Sequence, residues 1–284
     1  MLWQRVVTAV ALLALLLPAL FANSPVPFTG LVLVLIAAGA WEWGRLNGCS
    51  QTASLMLSLV CLGLCATAWW SGWPDQSMPL LWLAAGAGWV LVGAGLLRAG
   101  VPGWPLVPLP IRLTGGVLSL FLAWLAVAQA RAIGINFLLS MLVLVWVADI
   151  FAYFAGRAFG LRFTRSKLAP SISPGKSWEG VWGGMAGVVG LGLAWVAADS
   201  HWQAAVPSLY SRLSAISPWL LIVAVVFLCA MSVVGDLVES LIKRSAGVKD
   251  SSRLLPGHGG VLDRVDALLP ALPVAMMIFS LVPR

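Results

Sequence analysis

The stretch SPWLLIVAVVFLCAMSVVGDLVESLIKR occupies residues 217–244. No charge occurs in it before Asp236. An uninterrupted apolar run of about 20 residues is long enough to cross the hydrocarbon core of a bilayer. The charges arrive only at its end, where Asp236, Glu239 and Lys243 follow an i, i+3, i+7 spacing that places them on one helical face. A membrane span that closes on a charged face is the pattern from which the rest of the chain can be read.

The composition agrees. The chain has 284 residues, 61% of them hydrophobic and 10% charged, whereas a soluble domain carries roughly a quarter charged residues. Counting the first stretch, nine segments pass the length test, at 6–22, 28–44, 53–72, 79–97, 115–130, 133–155, 178–198, 217–240 and 264–282. An all-α polytopic membrane protein with about nine spans is expected. Pro and Gly clusters separate several spans: SPVP at 24–27, SGWPDQSMP at 71–79 and AGVPGWPLVPLP at 99–110. The last is too broken to span and reads as a re-entrant or interfacial stretch, with Trp104 at the interface. Most of the sixteen Trp are expected at interfaces or facing lipid. LFA at 20–22 is a poor cleavage site, so the first run reads as a retained signal anchor.

The basic residues give the orientation. With the N-terminus cytoplasmic, that side holds Arg5, Arg45, Arg98, Arg112, the 156–177 loop and the 241–264 loop. Only Arg131, Arg212 and Arg284 of the 17 Lys and Arg fall on the other side, and this asymmetry follows the positive-inside rule. The net charge of +7 is thus explained by topology, and no nucleic-acid partner is expected. Cys49, Cys61, Cys65 and Cys229 are neither grouped as a zinc site requires nor arranged as a disulfide framework. Residues 1–130 have almost no charge inside their spans and read as a packing region. Residues 131–284 carry nearly all the polar signals, within one continuous bundle.

Charged groups at membrane depth are costly and mark function. Asp149 lies in VWVADIFAYFAGR at 145–157, Asp236 and Glu239 end the eighth span, and Asp263 and Asp266 open the ninth. All four Asp sit toward the cytoplasmic ends of their spans, so a charged cavity on that side is expected. Hard oxygen ligands from different helices suit Mg²⁺. The plainer alternatives are that Asp263 and Asp266 cap a helix start, and that Asp236 pairs with Lys243 or Arg244. SISPGKSWEG at 171–180 puts Ser, Gly and Lys176 before a helix start, where backbone amides bind anions. It is not a P-loop, because Pro170 stands where that motif needs glycine. Gly257, Gly259 and Gly260 around His258 permit a close backbone approach to a ligand. Gly180, Gly183, Gly184, Gly187 and Gly190 in the seventh span read as close helix packing.

Two stretches carry a family resemblance. SLIKRSAGVKDSSRLLPGHGGVLDRVD at 240–266 resembles the signature of the phosphatidate cytidylyltransferases, the CDP-diacylglycerol synthases. ADIFAYFAGRAFG at 148–160 with SPGKSWEG at 173–180 is similar to a second family motif, in which Gly175 and Ser177 depart mildly from SPKKTWEG. The resemblance covers roughly residues 145–270. It implies synthesis of CDP-diacylglycerol and pyrophosphate from CTP and phosphatidic acid, by a polytopic homodimer in a bacterial inner membrane. It implies a catalytic set of Asp236, Lys243, Arg244, Lys249, Asp250, His258, Asp263, Arg264 and Asp266. Ser173, Lys176, Ser240, Gly259, Gly260, Tyr153 and Glu179 are then expected to contact substrate. Asp149, Asp236, Asp263 and Asp266 are expected to hold Mg²⁺, with a second cation beside it. A secondary transporter would instead place its acids near mid-membrane, and an anionic-lipid scaffold would need no intramembrane acids. A CDP-alcohol phosphotransferase would resemble an Asp-Gly motif, and this chain has no Asp-Gly pair.

Overall fold

The computed structural model describes residues 2–282. Arg284 of the charge asymmetry lies outside them, as does the side chain of Arg5. The helices are α1 (Leu2–Leu20), α2 (Val26–Leu46), α3 (Gln51–Trp70), α4 (Pro79–Gly103), α5 (Leu109–Ile133), α6 (Ile135–Phe159), α7 (Trp178–His201), α8 (Leu209–Ile216), α9 (Pro218–Ser245), α10 (Leu262–Val265) and α11 (Leu268–Leu281). Their starts follow local chemistry. Pro stands in the first turn of α2, α4, α5 and α9, where its missing N–H costs nothing. Ser50, Ser177 and Ser208 cap α3, α7 and α8 by accepting a backbone N–H.

Among the described residues, eight helical segments are long and apolar enough to cross a membrane. The chain is a multi-pass integral membrane protein built almost wholly of helices. The expected first span is α1, which carries Pro18; among the described residues its apolar helix, Val6–Leu20, is shorter than the eight. The final span, Leu262–Leu281, is interrupted in its hydrogen-bond ladder between α10 and α11, but Asp266 and Ala267 keep helical dihedrals there. The expected re-entrant stretch at 99–110 is a corner. Gly100 breaks α4 with φ 66° and ψ −171°, a 3₁₀ turn covers Trp104–Leu106, and α5 follows.

In the central helices α5, α9 and α11, 56, 56 and 50% of the apolar stretch is buried, against 22% in the lipid-facing α3, α4 and α7. Trp104 is therefore not interfacial. It is buried against the edge of Trp43, 5.8 Å between ring centres. Trp82 and Trp124 are buried too, and their indole N–H groups donate to Gln129 Oε1 at 2.9 Å and the Thr29 carbonyl at 3.2 Å. A buried indole usually finds such a partner, but among the described residues the Trp104 N–H has none. Arg131, expected as a charge of the opposite loop, is buried and donates to the carbonyls of Leu20 and Ala22 at the end of α1.

Two elements were not expected. A short antiparallel ribbon pairs β1 (Lys167–Ala169) with β2 (Ser173–Ser177), and the Lys167 ammonium donates to the Pro174 carbonyl at 2.6 Å. The other is α8, whose start is fastened by Asp199 accepting from Ser208 and Ser211 at 2.6 Å each.

Close packing of α6 on α7 follows the glycine spacing. A Cβ at Gly184 would stand 2.9 Å from the Ala148 carbonyl oxygen, and one at Gly180 would stand 3.0 Å from that of Ala152. Gly190 departs from this pattern and faces open space. Gly184→Val is accordingly expected to cost about 1–3 kcal/mol, and Gly190→Val to be tolerated. Thermal unfolding in detergent checks this, and equal Tm values for the two variants would refute the contact.

Candidate active site

The charged residues collect at one end of the bundle. There the ends of α2, α6 and α9 meet the ribbon, the start of α7, α10 and the loop between α9 and α10. α1 reaches the same end, since the Thr8 hydroxyl donates to the Pro256 carbonyl at 2.9 Å. The expected site residues fall into three groups.

The first group lines a cavity of about 410 Å³ between α6, α7 and α9. Asp149, Tyr153, Arg157, Lys176 and Asp236 face it. Asp149 and Tyr153 are one turn apart on α6, and Arg157 donates to the Tyr153 hydroxyl at 3.1 Å. Lys176 comes from the last part of β2, immediately before the Ser177 cap of α7. Its ammonium forms an ion pair with Asp236, and both side chains remain about one-third exposed. Asp236 thus pairs with Lys176 and not with Lys243 or Arg244. The Ser240 hydroxyl donates to the other Asp236 oxygen at 3.3 Å. Ser173 starts the same β2 strand.

The second group is a buried ionic knot behind this cavity. Lys243 reaches Glu239 at 2.6 Å and Asp263 at 2.5 Å. The remaining oxygen of Asp263 accepts from the Ser251 N–H at 2.9 Å, the Ser251 hydroxyl at 3.0 Å and the Gly260 N–H at 2.7 Å. Both oxygens of this expected metal ligand are therefore engaged by protein donors. Asp266, one turn after Asp263 at the start of the last span, accepts from the N–H of Ala267 at 2.8 Å.

The third group is the basic loop. Lys249, Asp250, Arg253, His258, Gly259 and Arg264 line a depression of about 690 Å³ together with Gln4 of α1. It shares no lining residue with the first cavity. The loop is shaped by Gly257 and Gly259, at φ 77° and 82°, and by a bridge between Leu255 and Gly259. Arg264 donates twice to the His258 carbonyl, at 3.0 and 2.7 Å. Arg244 points instead to the carbonyls of Ile172 and Val248, joining α9 to the ribbon. His258 Nδ1 is buried without a hydrogen-bond partner.

Two carboxylates stand apart from these groups. Glu179, expected against substrate, is buried and turned onto the preceding loop. It accepts from the N–H groups of Phe163 and Thr164 at 3.1 and 2.7 Å and from the Thr164 hydroxyl at 2.8 Å. Glu42 was missed by the sequence reading. It is fully buried in the last turn of α2, beneath the basic loop. The only signal was one acid in WEWGR at 41–45, in a half of the chain otherwise almost free of charge in its spans.

No cluster of three or more metal-ligating side chains is preformed among the described residues. The donor chemistry still fits Mg²⁺. That ion keeps several waters and is held by one or two carboxylates plus substrate phosphates, not by an all-protein cage. Asp149 and Asp236 in one open cavity supply such a pair.

A model of the cytidylyltransferase family matches residues 3–282. The chain belongs to that family. This family member is 38% identical to a phosphatidate cytidylyltransferase of Pseudomonas aeruginosa, over 96% of its own length and 95% of the relative's. It is 37% identical to one of Haemophilus influenzae, over 96% of each chain. It is 36% identical to one of Brucella abortus, over 94% of its own length and 89% of the relative's. In this cytidylyltransferase the match therefore includes the first half, which the motif resemblance at 145–270 had left aside.

Proposed function

We propose that the chain is a phosphatidate cytidylyltransferase, transferring the cytidylyl group of CTP to phosphatidic acid at the cytoplasmic face of a bacterial inner membrane. The observation that carries this reading is the cavity between α6, α7 and α9. It joins two carboxylates and a lysine at the end of a lipid-facing bundle, in a chain related along its length to enzymes of that name.

The reaction joins two anions. An oxygen of the lipid phosphate attacks the α-phosphorus of CTP. The bond from that phosphorus to the oxygen bridging the β-phosphate breaks, and pyrophosphate leaves with the bonding pair. The attacking oxygen is already deprotonated near neutral pH, so no strong base is needed. What the protein must supply is positioning and relief of charge repulsion. Lys176 holds phosphate as a point charge beside the backbone amides that open α7. Lys249, His258 and Arg264 give the triphosphate and the leaving pyrophosphate a basic surface. Asp149 and Asp236 would hold Mg²⁺, which when bound neutralises phosphate charge. Asp266 is proposed to serve as a third carboxylate beside them, while Asp263 acts through the loop that it fastens. The exposed Phe154, Trp178 and Trp182 lie on α6 and α7, the helices that frame the cavity, and give its surroundings an apolar surface for acyl chains. A homodimer and a second cation belong to the same proposal.

The test is incorporation of cytidine-labelled CTP into lipid by the purified chain in phosphatidic acid micelles with Mg²⁺. Label is expected in CDP-diacylglycerol, with one pyrophosphate released for each lipid formed and with loss of the product on chelation. No cytidine label in lipid, with CTP and phosphatidic acid both recovered unchanged, would overturn the assignment.

A further inference from the structure

The chemistry above uses residues from 149 onward, yet the basic loop is held by a side chain from residue 42. Glu42 has no exposed surface. Its carboxylate accepts four hydrogen bonds: from the hydroxyls of Ser252 at 2.5 Å and Ser251 at 3.2 Å, and from the N–H groups of Val261 at 2.9 Å and Leu262 at 2.7 Å. Among the described residues it forms no ion pair. A buried carboxylate is tolerated only where such donors replace its water. The site is fitted to it, because any side chain at Gly260 would run into the Glu42 carboxylate and the Ser251 hydroxyl.

The bonded positions bracket the loop. Ser251 and Ser252 follow Lys249 and Asp250, and Val261 and Leu262 follow the His258–Gly260 turn. The Ser251 N–H donates to Asp263, and its single hydroxyl hydrogen is shared between Asp263 and Glu42, so two buried acids from opposite halves of the chain grip the same residue. We infer that Glu42 is a positioning residue for nucleotide binding: it sets the 251–262 backbone so that Lys249, His258 and Arg264 form one surface for the triphosphate. This rests on the function proposed above.

The experiment uses Glu42→Gln, Glu42→Asp and Ser252→Ala in the full chain. Glu42→Gln keeps the shape but turns an amide NH₂ toward N–H and O–H donors. Its KM for CTP is expected to rise about ten- to hundredfold, as loss of charge-assisted bonds implies, with KM for phosphatidic acid nearly unchanged. Glu42→Asp, which keeps the charge, should recover part of that loss. Ser252→Ala removes one donor and leaves the buried acid three, so it should shift the same constant severalfold even if Glu42→Gln fails to fold. Amide hydrogen exchange without substrate supplies a readout independent of turnover. Val261 and Leu262 should exchange at least about tenfold faster in Glu42→Gln, since freed amides open locally, while amides in α5 keep their protection. Unchanged exchange at 261–262, or faster exchange with a wild-type KM for CTP, would overturn the inference. Equal rises in both KM values would reduce Glu42 to a general stabilising role and overturn it too. If the wild-type chain itself used no CTP, the functional reading would fall, and the exchange rates would separately show whether Glu42 orders the loop.

Discussion

Asp236→Asn is expected to lower cytidylyl transfer by about a hundredfold or more, with the chain still purified in normal yield. Asn fills the same volume and keeps one oxygen for the Ser240 hydroxyl. It removes the charge that faces the cavity, and with it both the partner of Lys176 and half of the carboxylate pair suited to Mg²⁺. Little stability should be lost, because the Lys176–Asp236 pair is partly solvated and such pairs contribute only about 0–1 kcal/mol. Steady-state turnover with Mg²⁺ varied, together with Tm in detergent, separates the two effects. Near-wild-type turnover at ordinary Mg²⁺ would show that Asp236 holds no required ion.

Lys243→Met is expected to fail earlier, in folding. Among the described residues Lys243 is the only ion-pair partner of the buried Glu239, and it shares Asp263 with the loop amides. Removing one member of a buried ionic group strands the other charge, at about 3–5 kcal/mol. Yield and Tm should both fall sharply, and Lys243→Met combined with Glu239→Gln should regain part of the loss. A single variant with wild-type Tm would sink this account. Asp263→Asn belongs with Lys243, not with Asp236: it should lower stability and activity together, because both Asp263 oxygens already serve protein donors.

The contrast between Asp236 and Asp263 shows what the sequence makes legible. Span lengths follow from apolar runs, and the crossing helices stood close to where those runs lie. The i, i+3, i+7 spacing of Asp236, Glu239 and Lys243 placed them correctly on one helix. It was silent on partners: Asp236 looks across to Lys176 on another element, while Lys243 turns inward to Glu239 and Asp263. Periodicity reports faces of one helix, whereas ion pairs between helices depend on the packing of the whole bundle. Glu42 escaped notice for the same reason. Its four donors lie 209 or more residues away, and nothing local to α2 distinguishes a buried anchor from an acid at the edge of a span. Trp104 misled in the opposite direction, since a Trp among prolines suits an interface until Trp43 is seen to cover it.

The glycine contacts between α6 and α7 have a mechanical consequence. With backbone lying against side chain and carbonyl at Gly180, Gly184 and Gly187, the two helices have no cushion of flexible side chains over which to slide. Asp149 sits on α6 of this tightly packed pair, and Lys176 lies on β2, two residues before α7 begins. Asp236 rides on α9, across the seam. A rearrangement of this pair against α9 is therefore expected to be a shear, and it would part Lys176 from Asp236.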